Sequence, residues 1–444
     1  MQTAPTGRLP SFRHGVHPDE RKQATCRLVV EHMPFADEYV LPLSQHIGAP
    51  AKPVVTPGER VVRGQTVAEP GGFVSTALHA PVTGTVSSIE LRPHPTGTQK
   101  PAIVIRTDAL DSQRHVLAAA KLGSGASAAE LVDRVQASGI VGLGGAAFPA
   151  HVKLKVPDGK HVRFAILNGC ECEPYLTCDD RIMVERPEAV RRGLRLIMRL
   201  TGAEHGYVGI ENNKPSAIDA MRAVTAEDAD LTVVPVAVKY PEGAEKMLID
   251  AILHMEVPTG KIPLDLDIVV NNVGTAAAIT DAVDSGRPLV DRVVTVTGPG
   301  IRRPANVLVP IGTPLASLID HCGGLRPEAR QVILGGPMMG TAQKNLDVPI
   351  TKGTSGVLVL THEAPIVEEE PCIRCGRCLA ACPMFLNPSR FALLARAERV
   401  EGLIAQHVNS CFECASCSYS CPSHIPLVHL IRVGKALVRE RAAK

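Results

Sequence analysis

Eight of the chain's 13 cysteines stand in two runs near its C-terminal end, and both runs have the same spacing. The first is Cys372-x-x-Cys375-x-x-Cys378-x-x-x-Cys382-Pro383 and the second Cys411-x-x-Cys414-x-x-Cys417-x-x-x-Cys421-Pro422. Chains that hold two [4Fe–4S] clusters use this spacing: three thiolates on a tight loop grip one cluster, and the fourth reaches across to the other. Cluster one is therefore assigned to Cys372, Cys375, Cys378 and Cys421, and cluster two to Cys411, Cys414, Cys417 and Cys382. Each proline follows a fourth ligand, where its fixed φ and missing N–H suit a turn. Zinc knuckles would not need that fourth Cys-Pro. A disulfide framework belongs to small secreted domains, and the first residues show no secretory leader. One-electron transfer is the expected business of the chain.

Composition narrows the remainder. At 444 residues about three domains are expected, and 45% hydrophobic content supplies a core without staples. No Trp, 5 Tyr and 8 Phe argue against a base-stacking surface, and a net charge of +2 against a nucleic-acid footprint. The other cysteines, Cys26, Cys170, Cys172, Cys178 and Cys322, are odd in number and fit a reducing cytoplasm. No run approaches 18 apolar residues, so membrane association is expected through partners only.

Residues 1–25 are polar and irregular and are expected to run over the surface. Residues 1–115 otherwise read as a small β module: Val54-Val55, Val61-Val62, Val82 and Val86 alternate with turns at Pro57-Gly58, Arg63-Gly64 and Thr83-Gly84. The rhythm is similar to barrel-sandwich domains that carry biotin or lipoate on a lysine. Gly72-Phe73-Val74-Ser75-Thr76 has no lysine, which leaves a structural or docking role. Between 125 and 285, helical patterns alternate with short strands, implying an α/β core with a mainly parallel sheet. Residues 290–360 read as a small α+β module with a helix at 314–322. Residues 365–444 form the cluster domain, with helices expected at 387–401 and 427–441; the apolar face of the latter suits its own core or a partner helix.

Gly142-Leu143-Gly144-Gly145-Ala146-Ala147-Phe148-Pro149 precedes Lys153 and matches neither common nucleotide-binding glycine motif. Clustered glycines let backbone N–H groups approach a phosphate or flat ring; they also suit a plain interdomain turn. Two stretches favour the first reading. Asn168-Gly169-Cys170-Glu171-Cys172-Glu173 follows the apolar run Phe164–Leu167, and Asn271-Asn272-Val273-Gly274-Thr275 follows Ile268–Val270. Both lie at strand ends, where α/β sheets bind ligands.

With these residues in place, the chain resembles the RnfC family, peripheral subunits of membrane ion-translocating ferredoxin:NAD+ oxidoreductase (Rnf) complexes. Its middle is similar to the NADH-binding flavoprotein subunit of respiratory complex I. The resemblance runs through His14-Gly15-Val16-His17-Pro18, the flavoprotein core, a ligand-binding β-grasp (SLBB-like) module around 307–324, and the two-[4Fe-4S] ferredoxin-like tail. It implies that Gly142, Gly144, Gly145, Ala146 and Lys153 hold FMN, that Asn168 and Glu171 meet the flavin and its ribityl chain, and that Glu173 lies at the nicotinamide site. Tyr240, Gly243 and Glu245 fall in a second flavin/NADH loop, and Asn271, Asn272 and Thr275 in a third. The chain departs from complex I at Cys170 and Cys172, where that flavoprotein has Asp and Ser, and at Ala244, where it has an acid. Cys170, Cys172 and Cys178 are expected to be silent buried thiols. The implied activity runs from NADH through FMN and two clusters to partner subunits, with ferredoxin or flavodoxin engaged indirectly, at the cytoplasmic face of the membrane. No acid/base or nucleophile constellation is needed. A cobalamin reductase-like protein would place the β module after the clusters; an electron wire would lack NADH binding.

Overall fold

In the computed structural model, residues 8–123, 125–361 and 368–442 are described, and they form four sheets. The β module packs a four-stranded sheet (Glu38–Pro42, Gln99–Thr107, Gly84–Pro93, Arg60–Val61) against a three-stranded one (Lys52–Pro53, Thr66–Glu69, Leu78–His79). Tyr39, Leu41, Val61, Val67, Val86, Ile103 and Ile105 are buried in its core. The lysine-free hairpin tip docks: Phe73 O accepts from His151 Nε2 and Ser75 O from Gln136 Nε2, both on the next domain. A docking role replaces cofactor carriage.

The central domain is a four-stranded parallel sheet in the order Leu231–Val236, His205–Glu211, Phe164–Asn168, Ile268–Asn272. The chain starts at Phe164–Asn168, winds outward over two strands, then returns to the other side of its first strand. This reversal of direction leaves a crevice beyond the carboxyl ends of Phe164–Asn168 and Ile268–Asn272. Helices cover both faces, so these strands read as continuous apolar runs. Ala128–Ala137 starts with a capping box between Ser127 and Glu130, and Pro187–Thr201 has proline in its first turn and Gly202 at φ 75° after its last. Pro187–Thr201 and Val273–Asp284 approach so closely that a Cβ on Gly193 would lie 2.1 Å from Ala276 O.

Two expectations need correction. Of the surface stretch expected over 1–25, residues 1–7 lie outside the described residues, and 8–25 are anchored at Phe12, Val16, Lys22 and Thr25, which are buried among exposed and half-buried neighbours; Val30–His32 then pairs in parallel with Ala305–Pro310. This segment thereby joins a six-stranded sheet with Asp291–Thr297, Gly356–Thr361, Ala329–Leu334 and Thr341–Ala342, which carries the helix Leu315–His321. Its polar residues find partners in other domains, which local pattern cannot register. The helix expected at 387–401 is two, Pro388–Arg396 and Val400–Ala405. Glu398 at φ 49° and an Arg399 N–H to Leu394 O bond make a Schellman-type stop between them. The Leu427–Ala442 helix then lays Leu427, Val428, Ile431, Gly434 and Val438 on Phe391, Leu394 and Leu403, so its apolar face serves the domain's own core.

Gly193→Ala should force the two helices apart and destabilise the chain by about 1–3 kcal/mol. The expected readout is a lower urea midpoint for the central domain.

Candidate functional site

The register Asn272↔Asn168 sets two amides side by side at the mouth of the crevice. The glycine stretch closes over them as a loop, with a bridge between Val141 and Pro149 and a Gly142 N–H to Phe148 O bond of 2.8 Å. Thr275 pins it, accepting from Leu143 N–H at 2.9 Å and donating to Val141 O. Gly144, Gly145 and Ala146 are left exposed as a rim of bare backbone. Gly145 has φ 107° and nothing within 4 Å of where a Cβ would stand, so both its conformation and its openness favour glycine.

Other residues converge on the same crevice. Asn168 Nδ2 donates to Gly243 O at 2.7 Å. Lys153 Nζ pairs with Glu245 at 2.8 Å and reaches Val270 O at 3.3 Å. Asn272 Oδ1 caps the Val273–Asp284 helix, while its Nδ2 donates to Asp179 at 2.6 Å. Asn271 is buried, and its Nδ2 has no hydrogen-bond partner. A buried donor without an acceptor is costly, and a polar ligand in the crevice would relieve it. Bare backbone N–H groups, an ammonium at the rim and an orphaned amide fit a flat polar ligand with an anionic tail, as FMN is.

Three residues implied for this site are committed elsewhere. Glu171, at φ 47°, accepts from the N–H groups of Asp179 and Asp180. Glu173 accepts from Met338 and Met339 N–H at 3.0 and 2.8 Å, tying the loop to the β-grasp module through the Gly335–Gly340 turn. Tyr240 donates its hydroxyl to Cys414 O at 2.8 Å. Burial, reinforced by the Glu171 charge, raises the carboxyl of Asp179 and pushes Asp180 up to about 6. Glu242, fully buried beside Tyr240, is pushed up to about 8 by burial; Ser11 Oγ donates to its Oε2 at 3.0 Å.

In the cluster domain, Cys382, Cys411, Cys414 and Cys417 lie close enough for their charges to perturb one another, and burial raises each thiol. Charge compensation is at hand: Glu413 N–H reaches Cys411 Sγ at 3.3 Å and Lys435 Nζ donates to Cys411 O at 2.6 Å. The two runs also cross at their other ends. Glu370 N–H donates to Ser423 O at 2.9 Å and Ser423 Oγ to Pro371 O at 3.0 Å, so the segment just before Cys372 is tied to the one just after Cys421. Cys372 and Cys375 are exposed. Cys382 of the first run thus stands with Cys411, Cys414 and Cys417 of the second, a set that fits the ligands of one [4Fe–4S] cluster. Cys170 and Cys178 are buried with thiols raised well above their ordinary range, Cys170 donating to Gly209 O.

Lys22 carried no signal in the sequence. Its buried ammonium donates to the carbonyls of Glu171, Glu173 and Leu176 at 2.9, 2.9 and 2.6 Å and holds that loop in shape. A single lysine in an irregular polar stretch gives no hint of such a role.

Four family models match in order: the RnfC barrel sandwich hybrid domain over residues 10–110, the Nuo51 FMN-binding domain over 135–281, the SLBB domain over 293–342, and the 4Fe-4S dicluster domain over 368–425. A component of the proton-translocating ferredoxin:NAD(+) oxidoreductase complex of Clostridium ljungdahlii is 47% identical over 391 residues, 88% of this chain and 85% of that one. The chain belongs to the RnfC family. Its counterpart in the Na(+)-translocating complex of Acetobacterium woodii is 44% identical over 86% of each chain. The counterpart in the ion-translocating oxidoreductase complex of Rhodobacter capsulatus is 42% identical over 98% of this chain and 84% of that one. Among solved structures, an NAD+-reducing [NiFe]-hydrogenase in the H2-reduced state shares the fold, with TM-score 0.51 and 18% identity over 74% of this chain and 69% of that one. In this RnfC-family chain the α/β, β-grasp and cluster modules thus follow one another as their motifs do.

Glu242 gives this site a pH signature. Its ordinary value is 4.5 and its folded value about 8, so between those limits the folded chain holds a proton that the unfolded chain has lost. Stability therefore falls as pH rises through that window. Glu242→Gln should remove the fall, giving a variant about 2 kcal/mol more stable than the parent at pH 8 and little different at pH 5, read from urea midpoints.

Proposed function

We propose that this chain exchanges electrons with NADH at the glycine-loop crevice and delivers them, through its two cysteine clusters, to the other subunits of an ion-translocating ferredoxin:NAD+ oxidoreductase complex. Family membership and the FMN-binding and 4Fe-4S dicluster matches make it an oxidoreductase subunit with FMN and iron–sulfur cofactors. The observation that carries the order of transfer is the Tyr240 hydroxyl bonded to Cys414 O at 2.8 Å. It joins a loop of the crevice directly to the buried thiol group. When bound, FMN supplies two-electron exchange with a nicotinamide and one-electron exchange with the clusters.

The protein's own residues do the rest. Gly142, Gly144, Gly145 and Ala146 offer backbone donors, with Lys153 at the rim; Asn168, Asn271, Asn272 and Thr275 line or brace the crevice floor. Gly243 and Glu245 belong to the facing loop. Glu171 and Glu173 shape the loop between crevice and β-grasp module, and Glu173 is the acid the family resemblance assigns to the nicotinamide side. Cys411, Cys414, Cys417 and Cys382 form the cluster next to the crevice. Cys372, Cys375, Cys378 and Cys421 form the outer one, where exposed Cys372, Ile373 and Cys375 suit handover to a partner. Among the described residues no helix is long and apolar enough to cross a membrane. Membership in the family of such complexes favours attachment through partner subunits at the cytoplasmic face. Ferredoxin or flavodoxin is then met indirectly.

Anaerobically reconstituted protein should carry about eight irons per chain, and NADH should bleach its flavin absorbance. Cys382→Ser and Cys421→Ser should each lower the iron content to about half. Only Cys421→Ser should still let NADH reduce the remaining cluster. Loss of the same cluster in both variants would refute the crosswise sharing.

A further inference from the structure

Residues 11–22 bond to both sides of the crevice–cluster junction. On the crevice side, Val16 and Tyr240 exchange both backbone hydrogen bonds, at 2.8 and 2.9 Å. Lys239 Nζ donates to Phe12 O at 2.8 Å and lies 4.5 Å from that ring's centroid. Ser11 bonds Glu242, and Lys22 gathers the carbonyls of Glu171, Glu173 and Leu176. On the cluster side, Gly15 N–H donates to Ala381 O at 3.3 Å. His14 Nδ1 donates to Cys382 O at 3.1 Å, and its ring sits 4.5 Å from that of Phe385.

These contacts meet in a small apolar core of their own. Val16, Tyr240, Ala381 and Cys414 are buried together, with Cys172, Met338 and Phe412 around them. One valine from the N-terminal segment thus plugs the seam between the crevice loop and two cluster ligands or their neighbours. The backbone is held in an uncommon shape to do it. His14 has φ 64°, a conformation that costs a non-glycine residue about 1 kcal/mol or more and persists only where surrounding contacts impose it. Gly15 has φ 83°, and a Cβ there would lie 2.6 Å from Tyr240 O and 2.8 Å from the Phe12 ring.

We propose that residues 11–22 form a strap that fixes the Tyr240 loop against the Cys382–Cys414 cluster, with His14, Gly15 and Val16 as positioning residues for electron transfer between crevice and cluster. The proposal rests on the function proposed above. None of the three residues is a cluster ligand or lines the crevice, so their effect is on distance and on the setting of Cys382. Gly15→Ala pushes the strap off Tyr240 while leaving both cofactor sites intact. His14→Ala removes the donor to the Cys382 carbonyl without disturbing the turn.

The test uses full-length holoprotein with flavin and iron quantified, mixed anaerobically with NADH in a stopped-flow instrument. Gly15→Ala should load fully and lose flavin absorbance at the parent rate, but pass electrons to the clusters severalfold more slowly than the parent. His14→Ala should shift the midpoint potential and electron paramagnetic resonance signal of the cluster lost in Cys382→Ser, and leave the cluster lost in Cys421→Ser unchanged. If Gly15→Ala does not fold, the His14→Ala signature decides alone. Fully loaded variants with parental transfer rates and unshifted signals would overturn the strap. A parent protein that takes up flavin and iron but is not reduced by NADH would instead overturn the function on which the strap rests.

Discussion

A hydroxyl and a carbonyl hold the two halves of this molecule in working distance. Tyr240 stands on the loop that faces the glycine stretch, and Cys414 belongs to the buried thiol group; their 2.8 Å bond crosses from one module to the other. Electron transfer needs no acid, base or nucleophile, so what the protein must supply is separation, polarity and solvent access. In the proposed function the switch-point crevice is the first site and the cysteine runs the second, and the seam around Val16 and Tyr240 joins the two modules.

Loops around the crevice are stabilised by charges placed where irregular backbone would otherwise be unsatisfied. Lys22 serves three carbonyls of the Glu171–Leu176 loop. Lys352, completely buried, donates to Ala77 O and Gly139 O and so ties the β-grasp module to the β module and to the start of the glycine stretch; burial pushes its ammonium down to about 7. Arg292 reaches the carbonyls of Lys352 and Leu143 beneath the same loop. Each cation is expensive to bury, and the multiple carbonyl bonds offset that cost. The buried Glu211–Lys214 pair at 3.0 Å adds a neutralised couple below the strand ends.

Much of this was legible in the sequence because the information is local. Cysteine spacing announces the 4Fe-4S dicluster domain, and short apolar runs, four residues before Asn168 and three before Asn271-Asn272, announce strand ends at the switch-point crevice. Backbone-mediated engagements were not legible. Nothing in the order of residues says that Glu173 will accept from Met338 and Met339, or that Glu171 will serve the amides of Asp179 and Asp180, because carboxylates look alike whether they face a ligand or a helix end. The split of the helix after Arg396 depends on a left-handed Glu398 that helix propensity alone does not forecast. The role of residues 11–22 was hidden most deeply, since a polar irregular stretch reads as solvent-exposed until its distant partners are known.

His14 and the Cys382 carbonyl it bonds are separated by 368 positions in the chain. Synthesis proceeds from the N-terminal end, and domains generally fold as they emerge. The early segment can therefore bind the central domain through Lys22 and Val16 before the cysteine loops exist, but reaches Ala381 and Cys382 only after them. Its contacts with the Ala381 and Cys382 loop close only after most of the described chain has been made.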